Sequence, residues 1–154
     1  MDIPNIKVIT VKTCFFIGHR DTSEDIYLVL EAEVERHIAE YGVDEFIVGR
    51  YGHFDQMAAR AIKAVKIVHP NVRLILLMPY LNNIPLPEGF DSAIYPDGLE
   101  YVPKKYAIPR ANQAMVDRCD YLIAHVKYPF GGAFQCLNYA RRKGIRITNI
   151  AKQQ

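Results

Sequence analysis

Short apolar runs alternate with stretches of helical spacing along this chain, and that alternation leaves few folds open. Residues 13–17, 45–48, 72–77, 121–125 and 146–150 read as strands. Between them, apolar residues recur three and four apart. A helix starting near Thr22 or Ser23 presents Ile26, Leu30, Val34, His37, Ile38 and Tyr41 on one face, and Gly42 closes it. A second, from about 54 to 68, turns Ala58, Ala61, Ile62 and Val65 inward. Helices over about 108–119 and 132–142 follow, and Gly144 ends the last. Strands that are apolar on both faces and separated by helices imply a parallel sheet covered on both sides. The expected fold is therefore α/β. It is a single Rossmann-like domain, with a parallel sheet of about five strands in the order 3-2-1-4-5 and helices on both faces. The domain covers residues 1–154, with its core over about 12–150. A proline-rich segment at 80–106 is left as a long loop, with 91–95 as a candidate short strand inside it.

At 154 residues the chain is long enough for one full core. A net charge of +2 is too small to argue for nucleic acid as a partner. The three cysteines, Cys14, Cys119 and Cys136, have no metal or disulfide spacing and read as small buried hydrophobes. His37, His53, His69 and His125 share no ligand spacing, so neither a metal nor a cofactor is expected. No signal peptide or membrane-length apolar run occurs, and the expected location is cytoplasmic.

Three strand ends carry glycine and concentrate the chemistry. In a doubly wound sheet they share one edge, where ligands bind. Gly18-His19-Arg20 follows the first strand. Arg20 is a planar donor suited to phosphate, and His19 can hydrogen-bond a ligand or act as acid or base. The second junction is Gly49-x-x-Gly52-x-Phe54-Asp55. Its spacing is not that of a dehydrogenase dinucleotide site. Asp55 either caps the helix or meets a ribose hydroxyl. The third, Gly131-Gly132-Ala133, opens a helix and forms an anion cradle. Arg110 and Asn112 open the helix before the fourth strand, and Asn112 satisfies either local backbone or a ligand.

The stretch Cys14-Phe15-Phe16-Ile17-Gly18-His19-Arg20 resembles the small bacterial YpsA/YoqJ-like group of the SLOG superfamily. So do Phe46-Ile47-Val48-Gly49 with Gly52, Phe54, Asp55 and Ala58, and Ile94-Tyr95-Pro96 with Gly98, Leu99, Glu100, Val102 and Pro103. Ala107, Ile108, Arg110, Asn112, Met115, Val116, Asp117, Asp120 and Gly131-Gly132-Ala133 complete the likeness, which covers about residues 12–150. The superfamily includes the DprA/Smf proteins and the LOG phosphoribohydrolases. The resemblance implies a Rossmann-like fold that binds nucleotides, nucleotide derivatives or nucleic acid, and relatives that pair through helices admit a homodimer. LOG enzymes carry Pro-Gly-Gly-x-Gly-Thr-x-x-Glu. Here Pro129-Phe130-Gly131-Gly132-Ala133-Phe134-Gln135-Cys136-Leu137 lacks the acidic end, and Ala111 stands where those enzymes have arginine.

The expectation is a nucleotide-binding protein in which sensing outweighs catalysis. Its ligand-binding residues are Gly18, His19, Arg20, Gly49, Gly52, Phe54, Asp55, Arg110, Asn112, Gly131, Gly132 and Ala133. Phosphate sits on the backbone at 49–52 and 131–133, and the base or ribose lies under the 80–106 segment. The alternative is a nucleotide N-glycosidase, for which Asp55 and Glu100 are the catalytic candidates and Asp91 a third. A further alternative is a DprA-like single-stranded nucleic-acid binder, against which the charge balance weighs.

Overall fold

A computed structural model describes residues 10–151. Six strands form one sheet: β1 (Thr13–Gly18), β2 (Glu45–Val48), β3 (Arg73–Leu77), β4 (Ser92–Ile94), β5 (Tyr121–His125) and β6 (Arg146–Asn149). Every pairing is parallel, and the order is β4-β3-β2-β1-β5-β6. The expected five-strand order is present as β3-β2-β1-β5-β6, with one strand added at the β3 edge. The sixth strand is the short β4, which extends the β3 edge over three residues that carry no apolar alternation. Asp91 anchors the start of this pairing. Its carboxylate accepts the Leu74 N–H at 2.7 Å, its own N–H donates to the Leu74 carbonyl at 2.8 Å, and Lys66 holds it in an ion pair.

Four helices cover the sheet: α1 (Tyr27–Tyr41), α2 (His53–Lys66), α3 (Ala107–Arg118) and α4 (Gly132–Lys143). Alternation along the strands divides the core between the two faces. Cys14, Phe16, Phe46 and Val48 pack with Leu30 and Val34 of α1 and with Phe54, Met57 and Ile62 of α2. Phe15, Ile17 and Ile47 face the other way, onto Ala111 and Met115 of α3 and Leu137 and Ala140 of α4. The first helix begins later than its capping signal suggests. Ser23 accepts the Asp25 N–H at 3.2 Å over a single turn of 3₁₀ helix, Glu24–Ile26, before α1 takes over. All three cysteines are buried and unpaired, and burial pushes the Cys119 and Cys136 thiols up to about 12.

Strand order reverses between β1 and β5, so the loops after these two strands diverge and leave a crevice at their carboxyl ends. Two polar ties fix the frame beneath it. Asp120 accepts the Thr13 N–H at 2.9 Å at the far end of the sheet. Asn149 clasps both backbone groups of Val126, at 3.1 and 3.0 Å, where β5 leaves the sheet.

Candidate functional site

The loops after β1, β2 and β5 enclose a cleft of about 570 Å³ at the carboxyl edge of the sheet. That volume suits a small organic ligand. Its floor is the end of β1. Gly18 is there because Phe54, fully buried, lies directly over it. A Cβ at position 18 would stand 2.3 Å from the Phe54 ring and 2.8 Å from its Cβ. The phenyl ring in turn packs against Phe16 and stacks on His125. Close approach of α2 to β1 therefore depends on the missing side chain at position 18.

The chain beyond Gly18 is held at several points. Thr22 donates from both its N–H and its hydroxyl to the His19 carbonyl, at 3.3 and 2.7 Å. His53 donates its N–H to the Arg20 carbonyl at 2.9 Å, its ring Nδ1 lies 2.6 Å from the Thr22 carbonyl, and its Nε2 meets Glu24 at 2.8 Å. His19 has a fixed task. Its Nε2 accepts the backbone N–H groups of Lys127 and Tyr128, at 3.1 and 3.3 Å. That ties the end of β1 to the loop after β5. A ring nitrogen that accepts twice must be unprotonated. Consistently, burial lowers the His19 pKa, with Lys127 adding to the effect and Asp21 opposing it. Nε2 is thus committed to positioning the loop. Arg20, the next residue, is exposed and lines the cleft.

The second turn is closed by the protein itself. Asp55 Oδ2 accepts the Tyr51 N–H at 3.1 Å, and a Cβ on Gly49 would come within 2.9 Å of that same oxygen. Burial raises the Asp55 carboxyl to about 6, while the Tyr51 N–H and the Arg20 guanidinium pull it down. With a carboxylate in its first turn, α2 is a weaker anion site at 49–52 than α4 is at 131–133.

The third turn is open. Gly131 caps α4 with a positive φ of 91°, no side chain bonds to the first-turn amides, and no acidic residue stands among them. The dipole of α4 and its free N–H groups therefore face the cleft uncompensated. Two aromatic residues precede this turn. Tyr128 and Phe130 stack at 5.6 Å with their planes 15° apart, and Tyr128 also leans on the His19 ring at 4.6 Å. Phe130 is 67% exposed, an apolar ring at the mouth of a polar cleft.

Of the residues singled out from sequence, Gly18, His19, Arg20, Gly49, Asp55, Asn112, Gly131, Gly132 and Ala133 line one cleft. Four do not. Phe54 is core beneath the floor, and Gly52 packs against the backbone of Arg20, where a Cβ would lie 2.6 Å from its Cα. Arg110 is exposed, and the α3 face turned to the cleft carries Ile108, Ala111 and Asn112 instead. Glu100 is exposed in the 3₁₀ turn Leu99–Tyr101. Asp91 is occupied at the start of β3, on the opposite edge of the sheet. None of residues 80–106 lines the cleft, so that segment is no cover for a ligand. Sequence reading missed Asp21, Tyr51, Tyr128 and Phe130. The three aromatics sit within or beside the glycine turns, and that adjacency was the available signal.

No family model and no curated protein matches this sequence. Solved structures do match its fold. DNA processing protein A (DprA) of Streptococcus pneumoniae superposes with a TM-score of 0.68 at 15% identity, over 93% of this chain and 51% of that one. The chain thus spans about half the length of that protein. DprA of Helicobacter pylori, studied for its single-stranded DNA binding mode, gives 0.65 at 15% identity over 94% and 67%. The Moco carrier protein of Chlamydomonas reinhardtii gives 0.61 at 17% identity over 94% and 78%. The chain therefore has the Rossmann-like α/β fold that these proteins share.

Proposed function

We propose that this chain is a SLOG-type protein that binds a nucleotide or nucleotide-derived ligand in the cleft, as a sensor or carrier rather than a catalyst. The observation that carries the reading is the open, uncapped N-terminus of α4, flanked by the Tyr128–Phe130 pair and by Arg20. A phosphate accepts hydrogen bonds from the first-turn amides and from Arg20. A base gains apolar contact and stacking from the aromatic pair. The likeness to DprA and the Moco carrier protein supports the fold, whose strand order opens the crevice at this edge of the sheet.

Catalysis fits less well. The carboxylates that reach the cleft are Asp21 and Asp55, and one oxygen of Asp55 is committed to Tyr51. Single-stranded DNA binding, the property studied in the Helicobacter pylori protein, needs a cationic track that a net charge of +2 does not suggest.

A thermal-shift panel of nucleoside mono-, di- and triphosphates, with a short oligonucleotide as a separate arm, tests the proposal. A ligand at 100 times its Kd adds about 2.7 kcal/mol, worth roughly 5–11 °C for a chain of this size. Arg20→Ala removes about 10- to 100-fold in affinity, since a hydrogen bond to a charged group is worth about 1.5–3 kcal/mol. A panel in which only the oligonucleotide shifts the midpoint, or nothing does, overturns the proposal.

A further inference from the structure

The cleft is not uniformly an anion site. Its α4 side donates hydrogen bonds, and its β2–α2 side accepts them. Asp55 is the accepting group, and its two oxygens are differently placed. Oδ2 is taken by the Tyr51 N–H. Oδ1 has no protein partner among the described residues, and the carboxylate lines the cleft. Neither oxygen is free to turn away, because the Tyr51 N–H holds Oδ2 on one side and Gly49 packs against it on the other. A carboxylate fixed through one oxygen, with the other open to the cleft, is an acceptor already positioned for a ligand donor. Arg20, whose guanidinium acts electrostatically on this carboxylate, lines the same cleft.

We infer that Asp55 Oδ1 is the specificity-determining acceptor of the cleft, selecting a phosphate-bearing ligand that also presents an O–H or N–H donor beside Arg20. This rests on the nucleotide reading of the site. In a nucleotide the donor has two sources, a ribose hydroxyl or an exocyclic base amine. A site that is built to accept a donor rejects an analogue that lacks it far more strongly than a merely apolar pocket would.

Asp55→Asn isolates the effect. The amide oxygen keeps the Tyr51 N–H, and the amide nitrogen then replaces the vacant acceptor with a donor, at the same volume. Isothermal titration of the wild type and of D55N with the eight ribo- and deoxyribonucleoside 5′-monophosphates reads the outcome. A ribose-over-deoxyribose preference of about tenfold or more that vanishes in D55N assigns the donor to the sugar. A preference for amine-bearing bases, held across both sugars and lost in D55N, assigns it to the base. Equal affinities in wild type and D55N overturn the inference while leaving the nucleotide reading intact. A wild type that binds nucleotides without regard to sugar or base overturns it without any variant, whatever the fold of D55N. Absence of binding throughout the panel overturns both.

Discussion

Gly18→Ala tests the packing on which the cleft floor depends. Position 18 has no positive φ, so alanine is acceptable to the backbone. A Gly→Ala change at such a site would ordinarily stabilise by about 0.4–1 kcal/mol, through the unfolded chain. Here the new methyl meets the Phe54 ring at 2.3 and 2.5 Å and the Phe54 Cβ at 2.8 Å. Rotating the ring about the Cβ–Cγ bond moves Cδ2 but leaves Cγ in place, and a change of χ1 would still leave the third contact, because Cβ moves only with the backbone. Helix α2 must shift outward, and overpacking of this kind costs typically 1–3 kcal/mol. After the unfolded-state gain is subtracted, the net loss is about 2 kcal/mol at the upper end, a fall of roughly 4–8 °C in Tm. Calorimetry on Gly18→Ala, Phe54→Ala and the double variant separates the contact from everything else. In the Phe54→Ala background the two closest contacts are gone, and the second substitution should cost less than about half as much. Equal cost in both backgrounds, or a rise in Tm for Gly18→Ala alone, refutes the reasoning.

Three further outcomes follow from the electrostatics and the loop ties. Asp55 holds its proton to about pH 6 in the folded chain, against 3.8 unfolded, so its ionisation opposes folding above that range and is silent below it. D55N without ligand should therefore gain about 1–3 kcal/mol relative to wild type on going from pH 3 to pH 8, and a pH-independent difference in Tm would sink the assignment. His19, His37 and His125 have pKa values lowered by burial, so the unfolded chain takes up their protons first, and stability should fall as pH drops below about 6.5. Proton NMR titration that finds His19 at or above the ordinary histidine value contradicts the double-acceptor geometry. His19→Ala removes the acceptor of the Lys127 and Tyr128 amides, one exposed and one part-buried, at about 0.5–1.5 kcal/mol, and should speed hydrogen exchange at those two amides; unchanged exchange there argues against the tie.

Much of the frame was legible because its signals are local. Apolar runs broken at Gly18, Gly49 and Pro79 gave the strands, and two-sided burial in Cys14–Ile17 gave the parallel sheet with helices on both faces. What escaped was set by tertiary partners. The short strand expected within 91–95 is present as Ser92–Ile94, but its place beside β3 is set by tertiary ties such as that of Asp91 to Leu74. Phe54 looks like a site residue in sequence because it follows a glycine turn, yet it fills the space that Gly18 leaves. Arg110 and Asn112 lie only two residues apart on α3, and the phase of that helix, which decides which of them reaches the cleft, is fixed by Ala111 and Met115 in the core. Spacing likewise could not say that Asp55 closes one glycine turn while the other stays open.

The most direct test of the ligand site is a backbone amide NMR titration with the tightest-binding nucleotide of the panel. The largest shifts are expected at Gly131, Gly132, Ala133 and Arg20, with Tyr51 and Tyr128 next, all lining the cleft. Shifts centred elsewhere, such as on the exposed Leu99–Tyr101 turn, with the α4 amides unmoved, would contradict it.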